Sequence, residues 1–101
     1  MKKIADYVDG IRDEVNGAKE YANKYVEEKA LSSNNGRAST YKKMANDELD
    51  HATLLHQMAS EDIQEIRKVY PNPPTDMQEE WNKTHKQFVE EVSWVRQMLN
   101  M

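Results

Sequence analysis

Apolar residues recur at Ile4, Val8, Ile11, Val15, Ala18, Ala22 and Tyr25 in alternating steps of four and three, with charged residues filling the gaps. That spacing keeps one stripe on one side of a helix and predicts an amphipathic helix over about residues 4–31. Ser32-Ser-Asn-Asn-Gly36 then closes it, because Asn and Gly readily take the left-handed conformation that ends a helix. Ser39 or Thr40 is placed to cap the next helix. So short a loop predicts an antiparallel hairpin.

The second predicted helix, about 40–70, carries Tyr41, Met44, Glu48, His51, Ala52, Leu55, Met58 and Ala59 on one face. At Ser60 the signal divides between a cap for a new short helix and continuation through Ile63, Ile66 and Val69. The stripe stays in phase, which favours continuation. Tyr70-Pro-Asn-Pro-Pro74 is a firm stop. Thr75 with Gln78 three residues on resembles a capping box and opens a last helix, about 76–100, with Met77, Trp81, Thr84, Phe88, Val92, Val95 and Leu99 as its apolar face. The expected fold is all-α: a two-helix hairpin, a proline elbow and a C-terminal helix in one domain spanning residues 1–101.

Glu48 and His51 break the second stripe. Residues three apart on a helix sit one above the other, so a carboxylate oxygen and an imidazole nitrogen can reach one metal ion. Helical projection places Glu48 near the centre of the stripe with His51 at its flank, neither free to point simply to water. On the first helix Glu14 lies one turn from both Ile11 and Ala18, inside the apolar sector, whereas Glu20 and Glu27 fall roughly opposite. Glu14 is therefore the acid expected to face the pair. Tyr21, two turns further on nearly the same side, is placed to hydrogen-bond a liganding carboxylate. Taken alone, Glu48 with His51 is equally well a salt-bridged pair at the rim of the core. Glu14 and Tyr21 in phase shift the balance to metal.

Composition narrows the chemistry. The chain has 101 residues and no cysteine, so disulfides and thiolate metal sites are excluded and carboxylate and imidazole remain as ligands. Ile, Leu, Val and Phe supply only 17 of 101 residues, while 14 basic residues against 18 acidic leave a net charge of −4. Narrow stripes without extreme charge suggest helices stabilised by association with further copies. Dispersed lysines and arginines make no basic stripe for nucleic acid. No apolar run approaches a membrane span and the N-terminus lacks a signal peptide's apolar core, so a cytoplasmic location is the default expectation.

The pattern Glu14-x-x-Gly17-x-x-x-Tyr21, followed by Ala45-x-x-Glu48-x-x-His51-Ala52, resembles the first helix pair of rubrerythrins and other ferritin-like di-iron proteins over about half the chain. The resemblance implies Glu14 as a terminal carboxylate ligand, Glu48 as a bridging carboxylate and His51 as the nitrogen ligand. Gly17 stands where that family more often has Ala. A complete ferritin-like bundle repeats this set in a second helix pair, but the last helix here has no His three residues after Glu90 or Glu91. Half a site is encoded, and two copies about a two-fold axis would supply four carboxylates and two imidazoles.

Such a dimer-built centre is similar to that of encapsulated ferritins, which deliver iron to a protein nanocompartment and carry a C-terminal targeting tail. The sequence given ends at Leu99-Asn-Met101, still in helical register. The implied cofactor is iron as a di-iron pair, with manganese or zinc tolerated by the same ligands. The implied activity is ferroxidase, the partner a second copy in a homodimer or higher oligomer, and a shell protein an allowed further partner. A non-catalytic, self-associating helical module is the alternative, as is a rubrerythrin-type peroxidase or oxidase. The latter is disfavoured by the missing cysteine-bound iron.

His56 and His85 are expected at the surface or boundary. Asp62, in phase with Glu48, is either a helix cap or part of a second metal site. Met44, Met58, Met77 and Met98 are expected to pack in the core. Trp81 and Trp94 point to different faces, with Trp94 off the stripe.

Overall fold

A computed structural model of the chain describes residues 2–31, 35–72 and 74–101 and contains three helices, α1 (Lys2–Ala30), α2 (Asn35–Val69) and α3 (Thr75–Leu99). The all-helical class expected from the periodicity is the one observed, and the described residues include no strand. At 1.5 Å per residue a 35-residue α2 is about 52 Å long, and the molecule measures 57 × 17 × 16 Å. It is a rod one long helix in length.

Partner pairs set the directions. Along α1 the residues Lys3, Gly10, Glu14 and Gly17 meet Asp62, Leu55, His51 and Glu48 in turn, so α2 runs antiparallel to α1. The α3 residues Glu80 and Glu91 pair with Arg12 and Lys19 at 2.9 and 3.1 Å, and Lys29 at the end of α1 donates to the Met101 carbonyl. α3 therefore lies parallel to α1 and antiparallel to α2.

All seven residues of the α1 stripe are buried, as their spacing requires. On α2 the buried line is displaced from the expected one. Ala38, Ala45, Ala52 and Ala59 recur every seven residues, joined by Leu49 and Ile63, whereas Met58 is 42 % exposed and His51 is exposed. The displacement arises because α2 must meet α1 on one side and α3 on the other. The stripe centred on Glu48 serves only the first contact. On α3, Met77, Trp81, Thr84, Val95 and Leu99 are buried, Phe88 and Val92 are half-buried, and Trp94 is exposed.

Three end signals act differently from their sequence reading. α2 already includes Asn35 and Gly36, so Thr40 is inside it and donates its hydroxyl to the Gly36 carbonyl at 2.9 Å instead of capping. Ser39 is likewise interior. Ser60 donates to the His56 carbonyl at 2.9 Å, four residues back, so α2 continues unbroken to Val69. The cap of α3 is Pro74, whose carbonyl accepts from the Met77 and Gln78 amides at 3.1 and 3.2 Å, with Thr75 the first helical residue. Proline suits this place, since the amide it lacks would have no helical partner. The expected helix-ending role of Ser32, Ser33 and Asn34 falls outside the described residues, as does Pro73 within the proline stop.

The apolar interior forms two clusters. One unites Ile4, Val8, Ile11 and Val15 with Ala52, Ala59, Ile63, Met77 and Trp81. The other unites Ala18, Ala22 and Tyr25 with Ala38, Ala45, Leu49, Val95 and Leu99. The break falls between Val15 and Ala18 on α1 and between Leu49 and Ala52 on α2. Leu49 is among the largest fully buried side chains, and Leu49→Ala is expected to lower stability by about 2–5 kcal/mol, read as a reduced urea midpoint by circular dichroism.

Candidate metal centre

The break between the clusters is filled by Glu14, Glu48 and His51. Glu14 projects from α1 one residue before Val15. Glu48 and His51 flank Leu49 on α2, one turn apart, so the antiparallel register that pairs the two helices also brings the acid opposite the pair. His51 Nδ1 lies 3.5 Å from Glu14 Oε2, and one ligand atom from each of the three residues lies within 4.8 Å of the others. Among the described residues no other group of three His, Cys, Asp or Glu side chains converges this closely.

Gly17 makes the approach possible. A Cβ on this residue would stand 3.0 Å from Glu48 Oε2 and 3.4 Å from its Cδ, closer than side chains ordinarily pack. The missing side chain lets the Glu48 carboxylate lie against the α1 backbone. The side chain of Glu14 is 29 % exposed and that of His51 57 %, so the site is closed toward the core and open on its outer side. The expectation that neither Glu48 nor His51 can point to water holds only in part. Glu48 is half-buried, but His51 sits at the rim because the buried line of α2 runs through Leu49 and Ala52.

A hydrogen bond with Glu14 is the main cause that raises the Glu48 pKa above its ordinary 4.5, followed by burial and by the Glu14 charge; the nearby His51 opposes the rise and Asp47 adds to it. Two ionised carboxylates side by side repel, which favours the protonated form of Glu48. A cation placed among them would relieve the same repulsion. The donor set of two carboxylates and one imidazole suits hard and borderline ions such as iron, manganese and zinc. Ligands about 2.0–2.2 Å from one ion lie about 2.8–3.6 Å apart at octahedral or tetrahedral angles, so the side chains would have to draw together to close the set on a metal.

Tyr21 takes a different place from the one expected. Its ring stacks on Tyr41, with centroids 6.3 Å apart and planes 27° apart, and its hydroxyl makes no hydrogen bond to Glu14 or Glu48. Asp62 pairs with Lys3 at 3.0 Å, and no second metal-ligating group of three forms around it among the described residues. From α3, Glu91 is engaged by Lys19 at 3.1 Å.

A second histidine cluster emerges from packing. His56 Nε2 and His85 Nδ1 are 2.9 Å apart, and the His56 ring stacks on Phe88 at 4.5 Å and lies 5.0 Å from Trp81. Burial lowers the His56 pKa, with His85 adding to the effect. The signal for His56 was its seven-residue spacing from Leu49 and Ile63, both fully buried. No sequence signal paired it with His85, since that contact depends on how α3 docks.

Compared with known protein families, curated proteins and solved structures, the chain matches none.

The raised Glu48 pKa has a definite sign. A folded state that holds a proton more tightly than the unfolded chain loses stability as pH rises above the unfolded value near 4.5. Without metal, the urea midpoint is therefore expected to fall between about pH 4.5 and the raised folded value. Glu48→Gln should flatten that fall and stabilise the metal-free protein at neutral pH. Unfolding series in chelator across this range test it, and an equal slope in the two proteins would refute the assignment.

Proposed function

We propose that the protein binds iron in the manner of ferritin-like proteins and oxidises ferrous ions at a site shared between two copies of the chain. The observation that carries this reading is the convergence of Glu14, Glu48 and His51 across the hairpin, open on the side that α3 leaves uncovered. Three ligands make half of a di-iron carboxylate set, and a two-fold axis across the open face would supply the other half. The strip His51, Leu54 and Met58 on that side of α2 supports such a contact, since Leu54 is 56 % exposed and Met58 is also accessible.

Iron enters this scheme as substrate. Two ferrous ions each lose one electron, and dioxygen takes up the two electrons with two protons to leave as hydrogen peroxide. Glu48, lying against α1 at Gly17, positions the ions. Glu14 would supply the second carboxylate as the ion takes the place of the proton that Glu48 holds. His51 supplies a neutral nitrogen donor from the rim. Carboxylate-rich surroundings favour the higher charge of ferric iron, which drives the oxidation.

A non-catalytic helical module that self-associates through the same strip is the second reading. The raised Glu48 pKa favours it, because a protonated Glu48 beside Glu14 needs no cation to offset its charge. Manganese or zinc would satisfy the same donors as iron. A shell protein around the assembly is a further proposal attached to the first reading.

His51→Ala is expected to weaken ferrous-ion binding by more than about 100-fold, beyond what loss of a ligand's outer partner costs. Elemental analysis with solution mass should give about one iron per chain in a dimer and iron-free protein for the variant. Full occupancy in His51→Ala would eliminate the site. Ferric absorbance formed in air by the wild type alone would distinguish oxidation from storage or structural pairing.

A further inference from the structure

The second histidine pair lies between α2 and α3, away from the Glu14, Glu48 and His51 centre. His56 is half-buried and His85 exposed, so the pair has one face on aromatic packing and one toward solvent. The two rings are inclined by 37° with centroids 5.0 Å apart. Phe88 stacks on His56 with planes 14° apart, and Trp81 meets it at 34°. The Ser60 hydroxyl holds the His56 carbonyl at 2.9 Å. The ring contacts hold the His56 imidazole with its Nε2 facing His85.

We propose that His56 and His85 form a second metal site, which takes a borderline divalent ion that favours imidazole, copper(II) foremost. The donor set is two imidazoles with water completing the shell, since no third His, Asp or Glu joins them among the described residues. Imidazole suits copper, nickel and zinc. The observed Nε2···Nδ1 separation of 2.9 Å is that of an N–H···N hydrogen bond, and an ion would replace its proton as the exposed His85 ring turns to converge with His56. Copper(II) binds such imidazole donors more tightly than nickel(II) or zinc.

The protons balance without release to solvent. In the metal-free pair one facing nitrogen carries hydrogen and the other accepts it. Binding needs both facing nitrogens bare, and a tautomer change achieves this by leaving the ring protons on His56 Nδ1 and His85 Nε2. The neutral rings that a metal requires are favoured here, because burial disfavours the imidazolium form of His56.

The chain has three histidines, so His51→Ala leaves only His56 and His85, and Trp94→Phe leaves Trp81 as the single reporter beside them. The full chain carrying both changes is titrated with copper(II) chloride at neutral pH. One equivalent is expected to quench Trp81 fluorescence several-fold, with an electron paramagnetic resonance spectrum showing coupling to two nitrogens. Adding His85→Gln, at an exposed position, should weaken binding by at least tenfold and leave at most one nitrogen coupled. His56→Gln should do the same, with circular dichroism confirming that the helices remain. Two-nitrogen coupling that persists in either variant, or no saturable quenching before substitution, would overturn the assignment.

Discussion

Close approach of α1 and α2 is the constraint on which the rest of the structure depends. Their facing residues are small or of moderate size: Gly10 meets Leu55, Gly17 meets Glu48, and buried alanines recur at intervals of seven from Ala38 to Ala59 on α2. Small side chains let helix backbones approach and let the longer Ile11, Val15, Leu49 and Ile63 interlock above and below. A chain with few large aliphatic residues thereby buries a continuous stripe. The cost is a thin rod, with a radius of gyration of 16.4 Å against about 13 Å for a compact domain of this length.

That close approach also creates the polar layer. A methyl group at position 17 would shift the end of the Glu48 side chain by a few tenths of an ångström. Instead the Glu48 carboxyl, its pKa raised by the neighbouring Glu14 and by burial, lies between two apolar clusters, with His51 at the open edge. Ionisable groups set into an apolar seam weaken folding unless each finds a partner. Protonation of Glu48 provides one solution, and a bound cation provides another with the same side chains.

α3 divides the molecule into two environments. It covers α1 and the Leu49 and His56 side of α2, burying Trp81 and enclosing His56 among aromatic rings. The opposite side of α2, with His51, Leu54 and Met58, remains open. One imidazole cluster is thus packed between helices with no acid beside it, while the other lies among carboxylates at the surface. Their chemistries differ because their neighbours differ.

The sequence by itself determined the three helices, the complete buried stripe of α1 and the pairing of Glu14 with Glu48 and His51. Each follows from helical period, which converts spacing along the chain into direction around an axis. Tertiary structure alone decided what period cannot express. Ser60 and Thr40 turned inward to backbone carbonyls because α2 was already helical around them, and Pro74 displaced Thr75 as the cap. Tyr21 stacked on Tyr41 because the hairpin brought the rings together. His56 met His85 because α3 docked on the second side of α2, a contact between residues far apart in sequence that no single-helix projection contains.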